Sequence, residues 1–399
     1  MPATLTTVNA ITKEVYQGKL QSWLVNEAVA IRRIEGSSAG VESQVGGKYV
    51  TFPVKVRRNA GIGYRNELEQ LQPAGQQGYS SVRVPLRYGY GRCKLSRQTM
   101  RLASKNFQAF ADALDEEMTG LKDDVLKDSN RIVYGDGIGT LATLTAAQAG
   151  GNTAVVDTVQ YLEEGMQVDI GTAAELTGAT APATNRQITA INEDTLTITF
   201  DGAAAALSNG SLVVRYGNYG REPNGLKSIV SDTGVLENVD PATEPKWKAT
   251  VDSNGGVDRA LSEQLLIANT DKVRTKGGRT SILLSGLGVR RAYFNLLSQQ
   301  RRYPSTQTFA GGFEALEFHN GRSIPFVDDP DAPPGTIYGL DESKFKVYRD
   351  EPWSWVDDDG SIWKWVHDFD AFEALLSQYW ELATSQRNAH FVIEDLTEG

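Results

Sequence analysis

Two nearby stretches in which apolar and polar residues alternate constrain the fold of this chain most strongly. Residues 48–57 place Val50, Phe52, Val54 and Val56 on one side, and residues 81–90 place Val82, Val84, Leu86, Tyr88 and Tyr90 on one side. This period of two predicts β-strands. Pro53 and Pro85 lack the amide hydrogen that a sheet interior needs, so both strands are expected at edges.

The two strands and the polar segment between them, residues 58–80, predict one long β-hairpin over residues 46–93. A two-stranded ribbon is only marginally stable in water, so its apolar face must be covered. Another part of the same chain is one way to cover it. The length of the ribbon and its charged tip favour the other way, a neighbouring subunit.

Residues 94–133 predict one long amphipathic helix after the hairpin. Its apolar positions recur at steps of three and four, and charged residues occupy the other faces; the apolar positions are Phe107, Phe110, Ala111, Leu114, Met118, Leu121, Val125 and Ile132. About 27 helical residues would span about 40 Å. That is more than a compact domain usually requires, although a buried helix of a large domain has the same pattern.

The rest of the chain divides by pattern into four further regions. Residues 1–45 predict an extended arm with a short helix, anchored by Trp23 and ended by the flexible run 36–40. Residues 150–225 contain regular short strands between turns, which predicts a small inserted β-domain. Residues 226–350 return to a mixed α/β pattern, in which the run 281–284 predicts a buried strand. Residues 351–399 predict returning strands, beginning with a hairpin in which Trp353 and Trp355 pair across from Trp363 and Trp365.

Composition limits the class of protein. A chain of 399 residues suggests two or three domains, and no apolar run is long enough for a membrane span or a signal peptide. Its one cysteine, Cys93, excludes an intrachain disulfide and favours a reducing cytoplasm. The net charge of −10 argues against a protein whose main task is to bind nucleic acid.

No motif indicates catalysis, a cofactor or a metal. The three histidines lack zinc spacing, and the run 357–360 would need acids at Trp355 and Val366 to form a calcium loop. Asp328, Asp329 and Asp331 lie beside prolines and are interpreted as turn formers. The glycines at 135, 137 and 139 follow a helix, so they predict helix termination rather than a dinucleotide loop.

Arginines flank aromatic residues near position 300. Arg290 and Arg291 precede Tyr293 and Phe294, and Arg301 and Arg302 precede Tyr303. Such a group could bind nucleic acid, but solvated faces or salt links between subunits fit an acidic chain better. The residues expected at intersubunit contacts are, in full, Trp23, Phe52, Val54, Arg57, Arg58, Arg65, Glu67, Glu69, Arg301 and Arg302.

The order of arm, ribbon, long helix, small β-domain, α/β domain and returning strands resembles the major capsid protein of tailed bacteriophages (Caudoviricetes), which has the Hong Kong 97-type fold. The most specific residues lie in 288–297, in 318–338 with the run Ile324-Pro325-Phe326-Val327-Asp328-Asp329, and in Gly339-Leu340-Asp341. The resemblance implies an α+β fold with domains at 1–45 (N-terminal arm), 46–93 (extended loop), 94–149 (peripheral, with the spine helix), 150–225 (inserted β-domain), 226–350 (axial) and 351–399 (strands returning to the peripheral domain).

The resemblance also implies a function. Many copies would assemble as hexamers and pentamers into an icosahedral shell around double-stranded DNA, with non-specific DNA contacts, no enzyme activity and no cofactor. Portal and scaffold proteins, and in some cases a cement protein, would be partners, and there would be no membrane contact. Because little chain precedes the arm, we expect any scaffold to be a separate protein. Some members crosslink a loop lysine, for which Lys48 and Lys55 are positioned on the ribbon.

Three alternatives remain open at the level of sequence. A nanocompartment shell protein that encloses cargo would share the fold, but the inserted β-domain and the chain length weigh against it. A nicotinamide-dependent oxidoreductase would use Gly135, Gly137 and Gly139. A cell-surface adhesin is disfavoured because no export signal is visible.

Overall fold

A computed structural model describes residues 28–37, 41–42, 49–98, 107–299, 316–319, 323–357 and 360–399. The helices are α1 Val29–Glu35, α2 Phe107–Tyr134, α3 Ala173–Thr177, α4 Leu226–Ile229, α5 Glu263–Thr275 and α6 Leu287–Gln299. The strands are β1 Val41–Glu42, β2 Tyr49–Arg57, β3 Gly78–Pro85, β4 Arg87–Ser96, β5 Thr140–Thr143, β6 Gln148–Gly151, β7 Thr153–Val155, β8 Gln167–Gly171, β9 Ala183–Asn192, β10 Thr197–Phe200, β11 Ala205–Leu207, β12 Leu212–Arg215, β13 Thr250–Asp252, β14 Ile282–Ser285, β15 Leu316–His319, β16 Ser323–Asp328, β17 Ile337–Leu340, β18 Phe345–Arg349, β19 Ser354–Trp355, β20 Trp363–Trp365, β21 Ala371–Thr384 and β22 Phe391–Ile393. Within these residues no helix is long and apolar enough to cross a membrane.

The 14-residue strand β21 is the axis of the first sheet. On one side it pairs with β4 over its first ten residues, and on the other side with β20, β19 and β18 in succession. The predicted tryptophan hairpin is therefore wrong. Trp355 lies opposite Leu376 and Trp363 lies opposite Ala374, so both short strands pair with β21 and not with each other.

Helix α2 is about 42 Å long, since it has 28 residues. It begins at Phe107 and not at Lys94, because Lys94 belongs to β4 and pairs opposite Glu373. Strand and helix come close at Gly91, where a Cβ atom would lie 3.3 Å from Val125. The helix ends at Tyr134, followed by glycines with positive φ at 137 and 139, so the predicted helix termination and turn are confirmed.

The inserted β-domain is a module with its own core. Its main sheet has the order β5-β12-β8-β9-β10-β7, and β6 and β11 form a separate pair. Side chains such as Val168, Ile198 and Val213 are fully buried in that core. The module begins at Thr140, ten residues before the predicted boundary, because β5 pairs with the last strand, β12.

The α/β domain has a sheet of order β13-β22-β17-β14-β16-β15. All four residues of β14 are buried, as the apolar run 281–284 predicted. Helix α5 begins at an N-cap in which Ser262 Oγ accepts a hydrogen bond from Leu265 N. The last strand, β22, pairs with β17 and β13 in this sheet. The final strand of the segment 351–399 thus lies in the same sheet as β14 and β17.

A buried polar cluster joins three distant parts of the chain. Asn130 of α2 lies with its Nδ2 3.0 Å from Asp329 Oδ2 and 2.6 Å from Asp331 Oδ2, and its Oδ1 accepts the Ile31 N–H of α1. Asp329 also accepts the Ala30 N–H, and Lys127 Nζ lies 2.8 Å from Asp331. The two aspartates are 0% and 1% exposed. Their interpretation as turn formers alone is therefore corrected.

A second charged cluster joins α2 to the inserted module. The buried guanidinium of Arg131 lies 2.9 Å from Asp128 and 2.6 Å from Glu222, and Arg215 of β12 lies 3.0 Å from Asp128. Burial alone would raise the pKa of Asp128, but the two arginines hold it below its usual range. The same two carboxylates raise the pKa of Arg131 against the effect of burial. These pairs fix the module at the C-terminal end of α2.

We predict that Asn130→Ala lowers the free energy of unfolding by about 2–4 kcal/mol, because it removes one hydrogen-bond donor from each buried carboxylate and the acceptor of the Ile31 amide. Urea denaturation followed by circular dichroism measures this. Asn66→Ala, an exposed asparagine replaced in the same way, is the control and should cost about 0.5 kcal/mol or less. Equal losses in the two variants would contradict the role given to the cluster.

Candidate intersubunit surface: the hairpin and its base

The predicted ribbon is present, but it is divided. β2 and β3 pair from Tyr49 opposite Pro85 to Arg57 opposite Gly78, which leaves residues 58–77 as the tip. After Leu86 the chain continues as β4, which pairs with β21 in the first sheet. Proline at 85 cannot donate a backbone hydrogen bond, so the hairpin ladder ends there.

The apolar side of the hairpin base is covered by the same chain. Val54, Val56, Val82 and Val84 are at most 9% exposed and belong to one buried cluster with residues of α1, α2 and β18. The Phe52 ring is half-buried and stacks on Tyr348, with centroids 6.2 Å apart. Of the two ways left open by the sequence, the favoured one, cover by a neighbouring subunit, is therefore corrected for the hairpin base: the side chain of Val54 lies in the core of its own chain.

The tip is held by its own polar contacts. Asn59 Nδ2 donates to the Gly75 carbonyl, and its Oδ1 accepts the Gly61 N–H. Arg65 Nη2 lies 2.8 Å from Gln72 Oε1. These bonds tie the two sides of the tip together across 16 residues, so the segment has a defined shape away from the core.

Four apolar side chains in this tip are exposed in a single copy: Ile62 is 82% exposed, Tyr64 100%, Leu68 102% and Leu71 81%. Leu68 also has a φ of 65°, in the left-handed region that leucine rarely adopts. Sequence reasoning selected the charged residues of the tip and missed these four. Their signal was weak, because they follow neither a strand period nor a helix period.

The sequence-predicted contact residues have different positions. Arg57 lies 2.8 Å from Glu244, Glu69 accepts hydrogen bonds from the backbone and side chain of Asn66, and Arg58 and Glu67 are exposed. The Asn66 contacts lower the pKa of Glu69. Lys55 is exposed on β2. The structure thus brings Arg58, Arg65, Glu67 and Glu69 together on one tip; Trp23, Lys48, Arg301 and Arg302 lie outside the described residues.

Two buried carboxyl groups lie beneath the hairpin base. The Arg83 N–H of β3 donates to the backbone carbonyl of Glu237, whose side chain is 7% exposed. Glu381 of β21 is fully buried, accepts the Asn224 N–H, and has Oε2 3.7 Å from Arg87 Nε. Burial raises the pKa of Glu381 to about 8. Burial and the charge of Glu381 raise the pKa of Glu237 well above its usual range.

Two buried basic groups complete this region. Arg387 donates to four backbone carbonyls, those of Ser228, Ile229, Thr233 and Gly234, and burial lowers its pKa to about 10. His390 is 0% exposed and its Nδ1 accepts the Asp341 N–H. Burial lowers the pKa of His390 to about 3, so the ring is neutral at physiological pH.

Three other features of the described part of the chain bear on chemistry: its metal-ligating side chains, Cys93 and the glycine run after α2. No group of three or more His, Cys, Asp or Glu residues there could hold a metal ion. Cys93 is buried, and burial raises the pKa of its thiol. The glycine run after α2 packs against residues 218–224, where Gly220 N donates to the Ile138 carbonyl. Its position after a helix differs from that of a dinucleotide-binding loop.

We predict that the free energy of unfolding falls as pH rises from about 6.5 to about 8, above the range in which the lowered pKa of His390 acts in the opposite sense. A carboxyl group whose folded pKa is raised binds a proton in the folded state that the unfolded state has lost, so stability decreases through this window by up to about 1.4 kcal/mol per pH unit per group. Glu381→Gln removes the contribution of Glu381 to the slope of unfolding free energy against pH. Urea unfolding at several pH values measures this, with Glu67→Gln on the exposed tip as the control. Equal slopes for wild type and Glu381→Gln would contradict the assignment.

Comparison with known proteins agrees with this architecture. Residues 199–355 match the family model of the SU10 major capsid protein, and no curated protein matches the sequence. The capsid protein of cyanophage A-1(L) is 14% identical, with a TM-score of 0.63 over 99% of this chain and 100% of that chain. The capsid of the native GTA particle is 10% identical, with a TM-score of 0.55 over 100% of both chains.

A third similar structure, from Mycobacterium phage Adephagia, is 10% identical, with a TM-score of 0.51 over 100% of both chains. At such low identity these structures define the fold, and the family model adds a match in sequence over residues 199–355. The resemblance read from the sequence is therefore confirmed: the chain has the α+β Hong Kong 97-type fold of phage major capsid proteins, and residues 199–355 match the SU10 major capsid protein family.

Proposed function

We propose that copies of this chain, a major capsid protein by fold and family match, assemble as hexamers and pentamers into an icosahedral shell that encloses the double-stranded DNA genome of a tailed phage. The role is structural rather than catalytic. The observation that carries the proposal is the hairpin tip, which holds a defined shape and exposes four apolar side chains that its own chain leaves uncovered.

Burial of the exposed apolar side chains of this tip would favour its binding to another copy. Covering a large apolar side chain contributes about 1.5–3 kcal/mol, and exposed apolar groups gathered in one place mark interaction sites. The backbone conformation of Leu68 also supports a binding role for the tip. Its left-handed backbone costs about 1–3 kcal/mol, and its fully exposed side chain gains nothing from its own chain in return.

The shape of the contact favours a closed shell. In the proposed shell the tip of one copy meets a different surface of its neighbour in a heterologous contact, and such contacts close into rings when the rotation permits. In this proposal the hairpin is the extended loop that lies on a neighbour, α2 is the spine helix of the peripheral domain, and the α/β domain meets its copies at the centre of hexamers and pentamers. The arm residue Trp23 and the pair Arg301 and Arg302 would contact neighbours as well.

Further partners follow from the same role. A portal and a scaffold protein, and in some shells a cement protein, would bind the assembled chain, which would form in the bacterial cytoplasm and reside in the virion capsid. Packaged DNA would touch the wall only non-specifically, because the net charge of −10 opposes adsorption of phosphates.

We predict that Ile62→Asp with Leu68→Asp leaves a folded chain that forms no closed shells, because two charges in the tip would have to be buried at the contact. Negative-stain microscopy of the purified protein counts shells, and circular dichroism checks folding. Val235→Asp with Val257→Asp is the matched control, since those valines are 66% and 64% exposed outside the hairpin.

The control variant should assemble at the wild-type level. Normal shells from the tip variant would show that this surface makes no essential contact. DNA extracted from wild-type particles made during infection tests the enclosed genome, and particles filled only with protein would contradict that part of the proposal.

A further inference from the structure

A groove with a volume of about 1020 Å³ lies between the base of the hairpin and the α/β domain. The hairpin side supplies Lys55, Arg57 and Arg58. The facing side supplies Lys246, Lys248, Lys276 and Lys344. No aspartate or glutamate is among the residues that line it. In a chain with a net charge of −10, seven cations around one concave surface form a strongly positive region.

These cations are poorly neutralised within one copy. Across the described residues, only Arg57 has a carboxylate within 4 Å, that of Glu244. Lys276 donates instead to Thr250 Oγ1, and burial and the nearby charge of Lys272 lower its pKa. Lys55, Arg58, Lys246 and Lys248 are exposed at the surface of the groove. An anionic surface that enters the groove would therefore meet several unpaired positive charges.

The same chain carries a complementary acidic surface elsewhere. Glu117, Asp123 and Asp124 on α2 and Glu163 in the inserted module are exposed, and none has a cation within 4 Å in the described part of the chain. Glu117 and Asp124 lie seven residues apart, on one face of the helix. Burial and the charges of Glu163, Asp123 and Glu117 raise the pKa of Asp124, so these carboxylates are close enough to repel one another.

We propose that the cationic groove at the hairpin base is a docking site for the acidic surface of α2 and the inserted module of a second copy. This inference rests on the proposed self-assembly and names the charged partner surfaces within it. The groove is continuous with the hairpin whose tip is proposed to reach a neighbour. A second copy that binds along the hairpin would therefore contact both the tip and the groove. Opposite potentials that meet at a contact set its register and speed encounter.

Nucleic acid is the competing occupant, because phosphates would meet the same cations. Two observations favour the second copy. The groove is built partly from the hairpin base, beside the tip that is proposed to contact a neighbour. Every copy also carries one acidic surface for its one groove.

A charge-reversal experiment tests the pairing in the full-length chain. Lys246→Glu with Lys248→Glu reverses the groove, Glu117→Lys with Asp124→Lys reverses the acidic surface, and a fourth chain carries all four changes. Circular dichroism and thermal unfolding check that each folds like the wild type, and negative-stain microscopy and sedimentation measure closed shells. Each double variant should reduce the shell fraction at least tenfold, and the fourfold variant should restore most of it.

The controls separate pairing from net charge. Lys246→Arg with Lys248→Arg keeps the charge of the groove, and Lys227→Glu with Arg274→Glu makes the same change in net charge at exposed positions that do not line it. Both should assemble like the wild type. Normal shells from the groove reversal, or folded double variants whose fourfold combination stays unassembled, would overturn the inference while the proposed function stands.

Binding of labelled double-stranded DNA to the same variants distinguishes nucleic acid from a second copy as the occupant of the groove. Reversed-groove chains that form normal shells but lose binding of labelled double-stranded DNA would assign the groove to nucleic acid and overturn the inference. Failure of the wild-type chain to form shells, with or without a scaffold, would instead remove the proposed function, and the inference with it.

Discussion

The relative placement of the major parts of this molecule depends on the burial of Asp329 beside Asn130. A buried carboxylate is costly unless its hydrogen bonds are complete. Asp329 completes them with Asn130 of α2 and with the Ala30 N–H of α1, residues 199 and 299 positions away in sequence. Because both donors must reach the same carboxylate, this group favours one mutual orientation of α1, α2 and the α/β sheet.

The last two turns of α2 extend this arrangement to the inserted module. Lys127 and Asn130 face the α/β domain, whereas Asp128 and Arg131 face Arg215 and Glu222. The inserted module has a hydrophobic core of its own, so its attachment relies on these polar contacts more than on shared apolar packing. One short segment of helix therefore orients two domains.

The sequence predicted those elements whose signal is local. The alternation at 48–57 and 81–90, the apolar run at 281–284 and the glycines after Tyr134 each correspond to a strand, a buried strand or a turn in the structure. The elements that it could not predict depend on pairing partners that are distant in the sequence. The segments around Trp355 and Trp363 were predicted to pair with each other as a hairpin. In the structure both pair with β21, a longer strand that follows them in the sequence.

The candidate site shows the same division between local and distant signals. The hairpin follows from its period, but the cover for Val54 comes from the core of its own chain, which no local pattern reveals. Asp329 beside Pro330 looks like a turn former, and its burial depends on α2, about 200 residues earlier. The cations of the groove are scattered from 55 to 344, so only the fold brings them together.

The hairpin thus combines two kinds of surface with different physical roles. Its tip presents apolar side chains, whose burial supplies affinity in proportion to area, and its base forms one wall of a cationic groove, whose charge acts at longer range. The complementary carboxylates lie on α2 and in the inserted module, and among the described residues only Arg57 of the groove has a carboxylate of its own copy within 4 Å. Charge of opposite sign on different faces favours head-to-tail contact over symmetric pairing, and repeated head-to-tail contact is what a ring of identical subunits requires.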